Sequence, residues 1–271
     1  MKKIIAVLLT LTLALSLAAC GAKSDAQTDD KTIKVGATPA PHAEILEVVK
    51  ELLAEEGYTL EIVEFDDYIL PNTALNDGEL DANYFQHITY MNNFNEEYGI
   101  NMVSAAGIHY EPFGIYAGKC ASLEELPDGA KIGVPNDATN EARALLLLEQ
   151  EGLIKLEEGA GIYATKDSIV ENPHNYEIVE TKAELLTATL ADVEIAVING
   201  NYAIDAGLKV SEALAVEATD GTAAEAYVNV VAVMSGNENS EKIQALVKAL
   251  QSEKVKTFIE ETYAGAVVPL F

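Results

Sequence analysis

The sequence predicts an α/β protein with two lobes, and three observations lead to this class. Short apolar runs with the spacing of β-strands alternate along the chain with longer amphipathic runs that have the spacing of helices. Hydrophobic residues make up 49% of the 271 residues and charged residues 23%, which allows a substantial core. Residues 32–271, which follow a short polar stretch, are numerous enough for two α/β lobes rather than one.

The individual elements follow from the spacing of apolar residues and from the positions of glycines. Residues 58–65 alternate apolar and polar side chains as a half-buried strand does, and the helix before them ends at Gly57. A later helix ends at Gly152. The predicted strands are 32–37, 58–65, 131–135, 194–198 and 227–233. The predicted helices are 43–56, 71–98 in two pieces broken near Asp77 and Gly78, 139–151 and 240–263.

Alternating strands and helices predict largely parallel sheets. Residues 122–125 and 181–184 have the spacing of a capping box, which predicts a helix start at each. The apolar runs 113–117 and 227–231 are the predicted crossovers between the lobes. The first lobe is therefore predicted to be discontinuous. The predicted lobes are 32–114 together with 230–271, and 115–229.

The first twenty residues have the pattern of a bacterial lipoprotein signal. Two lysines precede an apolar run over residues 4–17, which is shorter than the roughly 20 residues of a membrane-spanning helix. The run leads into Leu-Ala-Ala-Cys, which resembles a lipobox, so residues 1–19 are predicted to be cleaved and Cys20 to carry diacylglycerol. Residues 20–31 would then be a flexible tether. A plain signal peptide followed by a chance cysteine is the alternative. We expect a lipid-anchored protein on the extracytoplasmic face of the cell membrane.

The net charge argues against a nucleic-acid partner. The chain has 17 Lys+Arg and 44 Asp+Glu, which gives a formal charge of −27. Cleavage after residue 19 removes two lysines and no acid, so the mature charge is 15 − 44 = −29. This charge repels phosphate backbones and anionic lipid.

Motifs typical of catalysis are missing from the sequence. No G-x-G-x-x-G follows a predicted strand, and neither G-x-S-x-G nor H-E-x-x-H occurs. Residues 114–120 have one residue too few between their glycines for a phosphate loop and end in Cys120, which we interpret as a half-buried structural thiol. We therefore expect no enzyme, no catalytic residue and no cofactor. The four dispersed histidines leave a zinc site open.

Arg143 is the only arginine in the chain, and it lies near the start of the predicted helix 139–151. A guanidinium offers a rigid fork of donors that matches a carboxylate or phosphate in a bidentate pair. The amides at the helix start add positive potential beside it. We interpret Arg143 as a receptor for a ligand carboxylate. The alternative is an ion pair with one of the 44 acidic residues.

A second group of candidates combines aromatic rings with polar atoms. If residues 71–98 are helical, Tyr84, His87 and Tyr90 share one face. Such side chains suit a pocket for an amphipathic small molecule, and ordinary core packing is the alternative.

Three asparagines lie at or beside predicted strands. Asn199 and Asn201 follow the strand 194–198, and polar residues at the carboxyl end of a parallel strand commonly face a binding cleft. Asn229 interrupts an apolar run, where a buried amide needs partners. An amide can bond both the carboxylate and the ammonium group of an amino acid.

Six ordered blocks of the chain are similar to the methionine-binding lipoproteins of bacterial methionine ABC importers, the NlpA lipoprotein family. The blocks are 68–75 (YILPNTAL), 81–87 (DANYFQH), 109–116 (HYEPFGIY), 134–140 (VPNDATN) with Arg143, 198–203 (INGNYA) and 227–229 (YVN). The resemblance extends from the lipobox to the C-terminus. It implies a hinged, two-lobed periplasmic-binding-protein fold, type II-like, preceded by a signal peptide and flexible tether, that closes over one amino acid.

The resemblance also implies roles for particular residues. Arg143 and Asn140 would hold the ligand carboxylate, while Asn199 and Asn229 would contribute to binding the amino-acid head. The residues implied to surround the ligand side chain are Tyr68, Phe85, His87 and Tyr90. One lobe would supply Arg143 and Asn199 and the other the aromatic residues, with Asn229 at the crossover.

The implied ligand is L-methionine, and the implied partners are a membrane ABC permease and its ATPase. We expect a monomer with no bound metal. Alternatives with the same fold bind D-methionine, a methionine-containing dipeptide or another apolar amino acid. A more remote alternative is a metal-binding lipoprotein, which needs three or four convergent His, Asp or Glu ligands.

Overall fold

Two mixed β-sheets with covering helices form the main body of the protein. The computed structural model describes residues 31–218 and 222–271. The predicted signal peptide, Cys20 and nearly all of the predicted tether lie outside these residues. The strands are β1 (Thr32–Ala37), β2 (Thr59–Glu64), β3 (Ala82–His87), β4 (Met102–Tyr110), β5 (Gly114–Ala117), β6 (Lys131–Pro135), β7 (Lys155–Leu156), β8 (Ile169–Glu171), β9 (Glu177–Thr181), β10 (Ile195–Ile198), β11 (Ala215–Val216), β12 (Asn229–Met234) and β13 (Val268–Pro269).

Helices cover both sheets. They are α1 (Glu44–Glu55), α2 (Leu70–Asn76), α3 (Ile88–Tyr98), α4 (Ala138–Gln150), α5 (Leu186–Thr189), α6 (Gly200–Asp205), α7 (Thr222–Ala226), α8 (Glu241–Leu250) and α9 (Glu253–Tyr263). Among the described residues, none of these helices is long and apolar enough to cross a bilayer.

The first sheet has the strand order β13-β4-β12-β3-β1-β2, and the second has the order β11-β5-β10-β6-β9. Strand β1 pairs in parallel with β2 and β3, whereas β12 runs antiparallel to β3 and β4. In the second sheet β10 is parallel to β6 and antiparallel to β5. The α/β class is confirmed, but the expectation of largely parallel sheets is wrong. The chain crosses from one sheet to the other between β4 and β5 and returns between β11 and β12. A strand that follows such a crossing can pair antiparallel with its neighbours, unlike the second strand of a β-α-β unit.

Each sheet has its own apolar core. In the first, Ile33 and Val35 of β1 pack with Leu46 of α1, and all three side chains are fully buried. In the second, Ile132 of β6 packs with the fully buried Leu145 of α4. Burial of these faces stabilises each layer by roughly 25 cal/mol for every Å² of apolar surface removed from water.

The prediction of two helical pieces over residues 71–98 is wrong in its middle part. The segment forms α2, then strand β3, then α3. All six residues of β3 are buried between β1 and β12. The polar Asn83 and Gln86 are tolerated there because both donate side-chain N–H to Asn72 Oδ1, at 2.8 and 2.7 Å. These side-chain hydrogen bonds, which come from outside the segment, allow residues with polar side chains to form a central strand.

Other helices also begin or end at residues that differ from the predicted ones. The expected helix 240–263 is divided into α8 and α9, because the Ser252 hydroxyl accepts a hydrogen bond from the Val255 N–H at 3.4 Å and starts a new helix. No helix begins at residues 122–125. At residues 181–184 only a short helical turn leads into α5. Cys120 is half-buried, as predicted, with Sγ 3.9 Å from the Glu125 carbonyl oxygen.

Residues Thr32–Phe271 form one compact unit that contains both sheets. The first sheet draws its strands from residues 32–110 and 229–269, and the second from residues 114–216. This distribution is compatible with the predicted discontinuous lobe. The lobe boundaries themselves stay a prediction.

Replacing Leu145 with alanine is expected to lower the free energy of unfolding by about 2–5 kcal/mol, since it leaves a cavity in the core of the second sheet. Leu185, which is 48% exposed, is the matched control. Its replacement by alanine is expected to cost under about 0.5 kcal/mol. Urea unfolding followed by circular dichroism measures both, and equal losses would contradict this assignment of the core.

Candidate functional site

A cavity lies where the strand ends of the two sheets meet. The space between its lining atoms, including space that is open to solvent, is about 330 Å³. The eight residues to which the resemblance gives a role in ligand binding all line it: Tyr68, Phe85, His87, Tyr90, Asn140, Arg143, Asn199 and Asn229. The other lining residues are Gln86, Glu111, Phe113, Gly200 and Asn201.

The topology explains why these residues converge. Strand β3 ends at His87, and β10 ends just before Asn199, so both deliver polar residues from their carboxyl ends. Strand β12 runs antiparallel to β3, and its first residue, Asn229, therefore lies opposite His87. Asn140 and Arg143 come from the first turns of α4, which follows β6.

The start of α4 is held by a half-buried carboxylate. Asp137 is the N-cap, and its Oδ1 accepts the Asn140 N–H at 3.0 Å. The Asn140 side-chain amide donates to the same carboxylate, at 3.0 and 2.9 Å to its two oxygens. Burial raises the pKa of Asp137, whereas these bonds oppose that shift. The Asn140 donors are thus used within the protein, and its Oδ1 is turned to other partners.

Arg143 lies at the junction of both passages between the sheets. Its Nε is 3.1 and 3.0 Å from the two carboxylate oxygens of Glu217, and its Nη2 is 2.5 Å from Glu217 Oε2. Nη2 also donates to the Glu111 carbonyl oxygen at 2.8 Å. The guanidinium carbon lies 4.0 Å from the ring centre of Phe113 and 4.2 Å from that of Tyr227. The ion pair that the sequence left as an alternative is therefore present, while Arg143 still lines the cavity.

His87 connects the first sheet to α4. Its Nδ1 accepts the Tyr90 N–H at 3.0 Å, where it caps α3. This bond assigns the proton to Nε2, which donates to Asn140 Oδ1 at 3.1 Å. Burial, and secondarily the Arg143 charge, lowers the pKa of His87 to about 3, so the ring is neutral near pH 7.

Asn199 leaves an acceptor without a partner. Its Nδ2 donates to Asn140 Oδ1 at 3.1 Å. Its Oδ1 is buried and has no hydrogen-bond partner. A buried orphan acceptor at a cavity wall costs about 1–3 kcal/mol unless a ligand or water supplies a donor.

Aromatic rings form the apolar side of the cavity. The ring centres of Tyr68 and Phe85 are 5.8 Å apart, and those of Tyr68 and Tyr90 are 5.7 Å apart. The Tyr68 hydroxyl donates to Asn201 Oδ1 at 2.5 Å, which joins this wall to the segment after β10. Rings at these separations give an apolar, polarizable surface.

A buried cluster of two histidines and a carboxylate lies behind one edge of the cavity. His109 Nε2 and His42 Nε2 are 2.7 and 3.3 Å from Glu111 Oε1. The other ring nitrogens contact the Tyr84 hydroxyl at 2.5 Å and the Thr38 hydroxyl at 2.8 Å, respectively. Burial lowers the pKa of His109 to about 3 and that of His42 to about 4, and raises that of Glu111. The candidate ligand atoms of all three lie within 4.8 Å of one another, so they are also spaced to hold a metal ion.

The structure corrects part of the argument from the sequence. The common helical face of Tyr84, His87 and Tyr90 does not exist, because the first two belong to strand β3. Tyr84 is fully buried and points to His109, whereas His87 and Tyr90 reach the cavity from the strand end and from α3. The roles assigned to the eight residues in ligand binding stay predictions.

Glu111 and Glu217 were missed by the sequence analysis. Each is one of 44 acidic residues, and no local pattern distinguishes a buried carboxylate from a solvated one. The only signal for Glu111 was its place in the block HYEPFGIY. For Glu217 we find no such signal. A Cβ on Gly200 would lie 2.8 Å from Glu111 Cβ, so glycine is needed for this close approach.

Comparisons of the sequence with family models and with known proteins agree on one family. The model of the NlpA lipoprotein family matches residues 33–271. The methionine-binding lipoprotein MetQ of Bacillus subtilis is 42% identical over 275 residues, covering 100% of this chain and 99% of the relative. The D-methionine-binding lipoprotein MetQ of Salmonella typhimurium is 39% identical over 258 residues, covering 94% and 93% of the two chains.

A solved structure has the same fold. The nutrient-binding protein of Burkholderia cenocepacia bound to methionine superposes with a TM-score of 0.84 at 42% identity, and the match covers 88% of this chain and 100% of that one. The fold is therefore that of a substrate-binding protein, as the sequence predicted.

Replacing His87 with glutamine is expected to reduce the loss of stability between pH 7 and pH 5 by about 2 kcal/mol. The folded-state pKa of about 3 lies below the unfolded value of 6.5, so at pH 5 the unfolded chain binds a proton that the folded protein does not. Acid therefore favours unfolding through this residue, and glutamine removes that contribution while keeping an N–H donor for Asn140.

Urea unfolding at the two pH values measures the effect. His174→Gln is the control, since that side chain is 54% exposed. The same pH dependence in the wild type and in His87→Gln would contradict a neutral, buried His87.

Proposed function

The chain belongs to the NlpA lipoprotein family, and from this premise we propose that it is an extracytoplasmic substrate-binding lipoprotein that captures methionine and delivers it to an ABC importer. L-methionine is the proposed ligand. The family is one of substrate-binding lipoproteins rather than enzymes.

The observation that carries the proposal is the division of the cavity into a polar end and an aromatic end. Arg143, Glu111 and Asn199 line the polar end, and Tyr68 and Phe85 line the aromatic one. An amino acid with an apolar side chain has the same division. A thioether packs favourably against aromatic rings because it is apolar and polarizable.

We propose that the ligand carboxylate binds Arg143. Glu217 occupies the Nε–Nη2 edge of the guanidinium, so the carboxylate approaches by the remaining Nη1 edge. The aromatic stacking around Arg143 holds this edge in place. Asn140, Asn199 and Asn229 complete the polar end, and their direct contacts with the ligand are part of the proposal.

Hinged closure would seal the site. Hydrogen bonds such as Tyr68–Asn201 and His87–Asn140 already join the two sides of the cavity. A ligand that contacts both sides stabilises the closed form over an open one. The closed, loaded monomer, anchored through lipid on Cys20, would then dock on the permease, whose ATPase drives import.

D-methionine, a methionine-containing dipeptide and other apolar amino acids are the alternative ligands. The Salmonella typhimurium relative is named for D-methionine, which keeps the first of these open. The binding free energies of close analogues in a hydrophobic pocket differ by only about 1–3 kcal/mol. Competition titrations are therefore needed to rank these ligands.

Replacing Arg143 with alanine is expected to weaken L-methionine binding by at least about 100-fold, because a buried ligand carboxylate loses its charged partner. The measurement is calorimetric titration of the full-length chain in detergent, unfolded and refolded first to strip bound ligand. The wild type should bind one equivalent. Unchanged affinity in the variant would show that the carboxylate is held elsewhere.

Two further variants serve as controls. Lys242→Ala removes a cation that pairs with Asp81 away from the cavity, and its affinity should equal that of the wild type. Arg143→Lys keeps the charge but loses the planar fork, and an intermediate affinity is expected. Thermal unfolding of each variant separates loss of binding from loss of fold.

A further inference from the structure

We propose that Tyr202 holds the cavity closed without touching the ligand, and that it thereby scales the affinity for every ligand by the same factor. Tyr202 is a buried residue of α6, and it does not belong to the residues that line the cavity. The assignment rests on the proposed function and adds a positioning residue to it.

Helix α6 packs against segments of both sheets. Tyr202 belongs to an apolar cluster with Ala196 and Ile198 of β10, in the second sheet. Ile204 packs instead against the core of the first sheet. The helix also packs against residues 39–43, which follow β1. One sheet therefore carries α6, and segments of the other cover it.

Two neighbouring residues of α6 contact one loop that follows β2. The Tyr202 hydroxyl donates to the Asp66 carbonyl oxygen at 3.0 Å, and the Tyr68 hydroxyl donates in the opposite direction, to Asn201 Oδ1, at 2.5 Å. The rings of Tyr202 and Tyr68 are stacked, with their centres 5.0 Å apart. We call these four residues the clasp.

The loop 66–68 is fixed to the first sheet, so the clasp acts on that sheet as a whole. The Phe65 N–H donates to the carbonyl oxygen of Ala37, the last residue of β1, at 2.9 Å. The Tyr90 hydroxyl donates to the Tyr68 carbonyl oxygen at 3.2 Å. Separation of α6 from this loop therefore requires separation of the two sheets.

The hydroxyl of Tyr202 serves closure rather than packing. A phenylalanine ring would fill the same space in the apolar cluster, whereas the bond to Asp66 forms only when the two sides meet. Burial raises the pKa of Tyr202, so the hydroxyl keeps its proton and donates. Loss of one such hydrogen bond shifts an equilibrium by roughly 2–10-fold.

Tyr202→Phe is the test variant. The ligand-stripped, full-length chain in detergent is titrated calorimetrically with L-methionine and with L-norleucine, in which a methylene replaces the sulfur atom. When only the closed form binds tightly, the apparent affinity is proportional to the fraction of protein that is closed. Both affinities are expected to fall by the same factor, about 2–10-fold, so that their ratio keeps the wild-type value.

Tyr263→Phe is the matched control. Tyr263 is 7% exposed and Tyr202 is 8% exposed. The Tyr263 hydroxyl donates to the Glu44 carboxylate at 2.6 Å, and both residues lie in helices on the first sheet, so this bond does not cross between the sheets. Thermal unfolding should detect the lost bond in both variants, while both affinities of Tyr263→Phe should equal those of the wild type.

Spin-label distances measure closure in the absence of a ligand. Labels at Glu51→Cys on α1 and at Tyr163→Cys beside α4, in a Cys120→Ser background, report the separation of the two sides by double electron–electron resonance. Without ligand, Tyr202→Phe should have a lower ratio of short to long distances than the wild type, and Tyr263→Phe should match the wild type. Saturating L-methionine should restore the short distance in every variant.

The outcomes are distinct. Wild-type affinities in Tyr202→Phe, or a fall for only one of the two compounds, overturn the assignment while the proposed function stands. An equal fall in Tyr263→Phe overturns it as well, because a bond within one side would then have the same effect. Binding of neither compound by the wild type overturns the proposed function. The label distances then decide the assignment alone, and an unchanged ratio in Tyr202→Phe overturns it.

Discussion

The buried guanidinium of Arg143 is the group on which the arrangement around the cavity depends. A charge that is 3% exposed costs several kcal/mol unless it is paired and hydrogen-bonded. The groups that meet this need come from both passages between the sheets: Glu111 and Phe113 from the first, Glu217 and Tyr227 from the second. Arg143 therefore ties together the chain segments at which the two sheets are joined. Arg143 also lines the cavity, so one side chain both connects these segments and places a positive charge at the site.

The compensation of Arg143 by Glu217 changes how the electrostatics of the site should be understood. An isolated arginine would make the cavity a site for anions. With Glu217 in place and His87 neutral, the charge of Arg143 is compensated within the protein, while burial raises the pKa of Glu111. The unpartnered Oδ1 of Asn199 still requires a hydrogen-bond donor.

The rest of the cavity is held by hydrogen bonds that leave the side chains little freedom. His87 caps α3 with one ring nitrogen and reaches Asn140 with the other, and Asn140 is fixed in turn by Asp137. Tyr68 is held against Asn201. A preorganised wall reduces the ordering that a ligand must impose on binding. These bonds also join the first sheet to segments of the second, so they are the contacts that opening of the lobes would have to break.

The sequence alone was enough to predict the α/β class and eight of the residues that line the cavity, because these depend on local spacing and on motifs. The apolar periodicity of 32–37 and 139–151 predicts β1 and α4 to within one residue. The blocks shared with the family contain seven of the eight predicted residues that line one cavity, and the eighth, Tyr90, lies three residues beyond the second block. Tertiary structure decided what local patterns cannot contain. Residues 82–87 became a strand because Asn72 satisfies their buried amides and neighbouring strands cover both edges. Glu217 became the partner of Arg143, and Glu111 the carboxylate at the cavity wall, because the two passages between the sheets bring them there from positions 74 and 32 residues away.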